Sequence, residues 1–199
     1  MFAHVPPATR AIILANIALF GLEQLFGGAL IGPLALWPLG PNFELWQIVT
    51  YAFLHEGWQH IFFNMFALWM FGTQLEQFWG TRRFVTFYFA SVVAAAATQL
   101  LVNSMLGLGG ATIGASGGVF GLLLGFAMFF PRQRVVLIFP PIPMPAWLFV
   151  TLYGALELFL GVTGTAANVA HFAHLGGMLG GWLTILSWRR RPAPPSARI

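Results

Sequence analysis

Four polar residues of this chain are of types that could carry acyl-transfer chemistry: Ser116, His174, His60 and Asn64. A serine hydroxyl is a weak nucleophile until a base takes its proton, and His174 is a base of that kind. The tetrahedral intermediate of acyl transfer needs donors for its developing oxyanion. The backbone N–H of Ser116 would serve if the residue opens a helix, where the helix dipole also favours negative charge. His60 and Asn64 are four residues apart, so they share one face of a helix and could add side-chain donors. Together these groups form the minimal set for peptide-bond hydrolysis, with a Ser–His dyad in place of a triad. The chain has no Cys, no Asp and no Lys. A thiol nucleophile, an aspartyl protease, a Ser-His-Asp triad and a Lys Schiff base are thereby excluded.

A metal centre is the rival chemistry. His55-Glu56-Gly-Trp-Gln-His60 looks like a zinc-protease helix but has one residue too many. Two histidines at i and i+4 are needed, and i and i+5 point apart. His60, His171 and His174 could converge, but no carboxylate second shell is legible near them. No metal and no cofactor are expected. His171, one turn outward of His174, reads as interfacial, and His55 as a loop anchor. A transporter would use the same polar groups without needing Ser116 as a nucleophile.

The elements that must position these residues follow from composition. Of 199 residues 58% are hydrophobic and 7% charged, with 21 Phe and 8 Trp. Typical soluble proteins are roughly one-quarter charged, and this chain lacks the polar groups to cover a soluble surface. An integral membrane protein is expected, all-α, without a disulfide framework. Six segments approach the length of a span, roughly 17–25 apolar residues: 11–30, 58–75, 84–102, 115–130, 146–162 and 169–188. The nine basic residues are all Arg. Arg10 precedes the first segment; Arg82 and Arg83 lie between the second and third. Arg132 and Arg134 lie between the fourth and fifth, and Arg189, Arg190, Arg191 and Arg198 follow the sixth. Every Arg thus falls in alternate connections, which is the positive-inside pattern. Six spans with both termini cytoplasmic are expected. The division is a cytoplasmic N-terminus 1–10, a core 11–188 and a cytoplasmic, disordered tail 189–199. The net charge of +4 then reflects topology rather than nucleic-acid binding. The connection 31–57 is too apolar for a free aqueous loop and is expected to lie in the interface, partly helical around 43–51.

Polar side chains inside spans are functional hypotheses by default. With this orientation His60, Asn64, Ser116 and His174 fall at similar depth, nearer the outer face. The fourth segment, at roughly 16 residues, covers about 24 Å, less than the hydrocarbon core of about 30 Å. The preceding run 107–114 is a poor helix former, and irregular backbone at membrane depth is tolerated only in protein or beside water. A water-filled pocket with Ser116 at its floor is expected. Gly117, Gly121 and Gly125 repeat every fourth residue, as do Gly177 and Gly181 on the face of His174. Such stripes allow close helix approach, and packing them together would bring Ser116 toward His174.

These residues resemble the rhomboid intramembrane serine proteases. The likeness lies in Gly114-Ala-Ser116-Gly117, in His60-x-x-x-Asn64 and in Ala173-His174-Leu-Gly-Gly, each on the matching span. Phe53-Leu-His55, Gly72, Glu76 and Gly80 also fit. The resemblance implies a six-helix core, a Ser116–His174 dyad, and an oxyanion site of His60, Asn64 and the Ser116 N–H. It implies substrates that are transmembrane proteins cut near their outer boundary. Gly114 and Gly177 would support the site, Phe120 would stack on His174, and the connection 163–168 would cap it. Gln47 departs from the Arg common after this Trp in the family, which weakens an anchoring of the first loop by a Trp–Arg pair. An inactive rhomboid-like binder of membrane proteins is the alternative within the family. The bilayer and transmembrane substrates are the expected partners. Arg-only basicity and small size fit a bacterial inner membrane; substrate and oligomeric state are not legible.

Overall fold

The computed structural model describes residues 5–137, 141–165 and 170–189. The chain is mainly helical. Helix α1 spans Pro7–Phe26 and the short α2 spans Gly28–Leu34. Proline at the first helical position loses no hydrogen bond. Gly27, with φ 51°, breaks the run. The expected first span is therefore displaced toward the N-terminus and stops before residue 30. The first connection holds α3, Gln47–Thr50, and a 3₁₀ turn over Tyr51–Phe53. Helix α4, Trp58–Ala67, continues through a π turn at Leu68–Gly72 into α5, Thr73–Trp79. Helices α6, Thr81–Leu106, α7, Ser116–Phe129, α8, Ala146–Thr163, and α9, His171–Arg189, complete the bundle. Between α7 and α8 the strand Arg134–Val136 pairs antiparallel with Pro143–Pro145, a hairpin that apolar run lengths do not foretell. The tail beyond Arg189 lies outside the described residues.

By length and composition α1, α6 and α8 can each cross a membrane, and α7 is a shorter apolar helix. Their outward faces carry Leu14, Ile17 and Leu25 on α1, and Leu152, Leu156 and Phe159 on α8, all exposed. Continuous apolar surface of this kind suits lipid rather than water.

Helix α6 is the wedge of the bundle and packs most closely on α9 and α7. Glycines make this possible. A Cβ on Gly118 would strike the ring of Tyr88, one on Gly176 would strike Thr98, and one on Gly180 would strike Ala94, all on α6. The two glycine stripes meet only in part. Gly177 lies directly on the Gly117 carbonyl, and a Cβ on Gly121 would come 3.1 Å from the Gly177 carbonyl oxygen. Gly125 and Gly181 instead face Phe87 of α6. The third helix thus takes part of the packing that the stripes suggested for α7 and α9 alone.

The arginine-bearing segments gather at one end. Arg83 lies 5.6 Å from the Trp188 ring, next to Arg189. Gln133, between Arg132 and Arg134, donates to Gln74 at 3.0 Å. Glu76 accepts from the backbone N–H groups of Ala8 at 3.0 Å and Thr9 at 2.7 Å, one residue before Arg10.

Candidate active site

At the other end, the segment between α6 and α7 is irregular and finds its hydrogen bonds in the first connection. Gly107 closes α6 in the left-handed conformation, φ 65°. Leu36 and Thr112 exchange backbone hydrogen bonds at 3.0 and 2.9 Å. The Gly114 N–H donates to the Tyr51 carbonyl at 2.9 Å, and the Tyr51 hydroxyl donates to the Val92 carbonyl of α6 at 2.8 Å. Burial, with Tyr88 nearby, holds the Tyr51 hydroxyl above its usual range. Buried backbone groups are thereby paired, as they must be away from water. Gly114 has φ 125°, and a Cβ there would lie 2.8 Å from the His60 ring and 3.7 Å from Ser116 Oγ. Glycine at this position lets the ring and the hydroxyl approach the same point.

Ser116 opens α7, so its N–H is one of the four that an α-helix leaves unpaired at its start. His174 Nε2 lies 2.8 Å from Ser116 Oγ. The Phe120 ring, one turn further along α7, is stacked on the His174 ring with centroids 4.2 Å apart and planes within 5°. Gly177, one turn beyond His174, permits the approach of α9 to α7 that sets this distance. Ser116 and His60 are partly exposed, whereas His174 and Asn64 are buried. Asn64 Nδ2 donates to the His60 carbonyl at 3.1 Å, which leaves one of its two N–H groups for another acceptor. His60 Nδ1 accepts from the Glu56 N–H at 3.4 Å. A cleft of about 390 Å³ lies in the first connection, lined by Gly32, Pro33, Trp37, Asn42, Trp46 and Gln47, and Ser116 is not part of it.

Three placements bear on the sequence reading, and one of them corrects it. His171, read as interfacial, is buried against α8, and its Nδ1 is 2.7 Å from Glu157 Oε2. His174 Nδ1 is 2.9 Å from the same oxygen. A carboxylate is therefore present beside these histidines, where none was legible. The chain has no Asp, but Glu157 meets His174 Nδ1 on the side of the ring away from Ser116. One signal could have found it, because Glu157 is the single charged residue within α8 and intramembrane acids are functional hypotheses. The third placement is that of Gln47. It is buried, accepts from the Trp37 N–H at 3.3 Å, and donates to the Asn42 carbonyl at 3.0 Å. The first loop keeps an anchor without Arg.

His55 is buried, and its N–H donates to both Glu23 carboxylate oxygens at 3.2 Å. Burial, aided by nearby His60 and opposed by a Phe53 backbone hydrogen bond, pushes its ring down to about 3. Glu157, His171 and His174 offer ligand atoms within 4.8 Å of one another, a spacing that could also hold a metal ion. Of the expected cap over 163–168, residues 166–168 lie outside the described residues. Thr163 itself bonds back to the Phe159 carbonyl at 2.8 Å.

A helical bundle with apolar outward faces, and a buried histidine 2.8 Å from a helix-opening serine, fits an integral membrane protein. The Rhomboid domain family matches residues 42–191, and the chain belongs to the rhomboid family of integral membrane proteins. Rhomboid protein 1, mitochondrial, of Saccharomyces cerevisiae is 31% identical over 92% of this chain and 56% of its own length. Rhomboid protease GlpG of Yersinia pestis is 26% identical, over 89% of this chain and 61% of its own length. Rhomboid protease GluP of Bacillus subtilis is 27% identical, over 70% and 25%. The chain thus spans between a quarter and about three-fifths of the length of these relatives.

Proposed function

We propose that the chain is an intramembrane serine endopeptidase that cleaves transmembrane proteins through an acyl-enzyme. The observation that carries this reading is the 2.8 Å contact of His174 Nε2 with Ser116 Oγ, the ring held by Phe120. Ser116 Oγ attacks the scissile carbonyl carbon as its proton passes to His174 Nε2. The oxyanion is met by the Ser116 N–H and by donors from His60 and Asn64. The proton then goes to the leaving amine, and water, activated by the same base, releases the acyl group. Gly114 and Gly177 serve by giving room.

Residues 11–188 act as one catalytic core in this reading, with six crossings and both termini cytoplasmic. The gathering of the arginine-bearing connections at one end, opposite Ser116, supports that topology. The scissile bond comes from a transmembrane helix that must be unwound. Helix-weakening residues near the cut lower that cost, by about 1 kcal/mol for Gly and about 3 for Pro relative to Ala. Phe120 and the close-packed glycines favour a small residue before the bond. Composition favours a bacterial inner membrane; the relatives include a mitochondrial protein, so the compartment rests on composition alone.

The test is labelling of detergent-purified protein by a fluorophosphonate, together with cleavage of a panel of single-span substrates and mapping of the cut. Labelling at Ser116 and a cut near the outer end of the substrate helix are expected. No labelling and no cleavage would favour an inactive binder or a transporter.

A further inference from the structure

Glu157 is the buried polar group that the Ser116–His174 pair leaves unexplained. It comes from α8, while its two partners sit one turn apart on α9. A single oxygen, Oε2, lies 2.7 Å from His171 Nδ1 and 2.9 Å from His174 Nδ1. With Glu157 ionised, the carboxylate only accepts hydrogen bonds, and both rings would carry their proton on Nδ1. For neutral His174 this leaves the lone pair on Nε2, the atom that faces Ser116 Oγ at 2.8 Å. The opposite tautomer would place a proton on Nε2 and remove the base. Serine, histidine and carboxylate thus stand in the order in which a third group orients the base, with the acid supplied by a separate helix.

We propose, on the reading that Ser116 and His174 perform the hydrolysis, that Glu157 is a positioning residue. Its Oε2 holds His174 in the tautomer and orientation that receive the Ser116 proton, and its charge stabilises the imidazolium that forms. Glu157 takes no proton itself: the Ser116 proton moves to His174 Nε2 as the Oγ–carbon bond forms, and leaves with the amine. His171 shares the same oxygen and buttresses the carboxylate from the second side. Its Nε2 is buried and has no partner among the described residues, so the Glu157 contact at Nδ1 is the one hydrogen bond its ring makes among them.

The substitution Glu157→Gln separates the parts of this role. An amide oxygen in the place of Oε2 can still accept both Nδ1–H groups, so the tautomer survives and the charge is lost. Glu157→Leu removes both. Wild type, both variants and Ser116→Ala are compared as full-length protein in proteoliposomes, with a single-span substrate. Expected for Glu157→Gln is a kcat lower by roughly 10- to 1,000-fold, with KM and melting temperature unchanged. For Glu157→Leu a larger loss is expected. Imidazole ¹⁵N shifts, which report tautomer independently of turnover, should show Nδ1–H at His174 in wild type and Glu157→Gln. A mixture is expected in Glu157→Leu. Wild-type kcat and an unchanged His174 tautomer in both variants would overturn the proposal and leave Glu157 a structural group. Loss of activity on chelation, restored by zinc, would overturn it in favour of a metal centre. Failure of wild type itself to cleave, with no labelling of Ser116, would instead remove the protease reading on which it rests.

Discussion

Two buried carboxylates, at opposite ends of the bundle, are held by different kinds of donor. Glu76 accepts from the N–H groups of Ala8 and Thr9 and from the hydroxyls of Thr9 and Thr81, both hydroxyls at 2.8 Å. None of those donors titrates near neutral pH. The cluster closes the start of α1 and ties α1, α5 and α6 together. Among the described residues Glu157 is hydrogen-bonded by two imidazoles, whose protons can be gained, lost or moved between nitrogens. The same functional group is thus an anchor at one end and, on the proposed function, a partner to a proton carrier at the other. What distinguishes them is the neighbour's chemistry, since both residues are buried to a similar degree.

The comparison yields experiments in which one end should lose rate and the other stability. The largest effect is expected at the serine: Ser116→Ala and His174→Ala each bring turnover to background, about 10⁴-fold or more. Melting temperature in detergent should be nearly unchanged. Substantial turnover by Ser116→Ala would end the assignment of the nucleophile. Next come His60→Ala and Asn64→Ala, each slowing kcat by about 10²–10³, the usual worth of one oxyanion donor. A loss as complete as that of Ser116→Ala would give His60 a nucleophilic or metal-binding part instead.

Glu76→Gln should act in the opposite sense to Glu157→Gln. One oxygen becomes an NH₂ group that faces donors, one of them a backbone N–H that cannot reverse. A cost of roughly 2–4 kcal/mol follows from stranding buried donors, read as a lowered melting temperature with kcat per folded molecule retained. Equal loss of kcat in both Gln variants would dissolve the distinction between the two carboxylates.

A smaller effect is expected at His55. Its folded-state ring is held down to about 3, against an ordinary 6.5, so the unfolded chain binds the proton first as pH falls. Its contribution is fully present above pH 6.5 and is lost progressively from there toward pH 3. Melting temperature should fall over that window, and His55→Leu should flatten the slope. Gly109→Ala marks the floor of the scale. A Cβ there meets nothing within 4 Å, and no change in rate or melting temperature is expected.

Ser116, His60, Asn64 and His174 could be assigned to their helices from run length and arginine spacing, because both signals are one-dimensional. The close approach of Gly177 to Gly117 was legible for the same reason, as small residues recurred at helical spacing. Glu157 was not. Its partners lie 14 and 17 residues away on another helix, and no local pattern connects them. The break at Gly27 was also missed, since apolar residues continue through it. Nor did the stripes disclose that α6 would stand between α7 and α9 along part of their length. In a water-soluble helix the polar face would have revealed which side turns inward. Here lipid and protein interior are both apolar, so the pattern of hydrophobic residues carries little facing information. Composition and charge placement by themselves determined that the chain is a helical membrane protein and which residues could do chemistry. Which oxygen meets which nitrogen was decided only by how closely the glycines let α7, α9 and their neighbours pack.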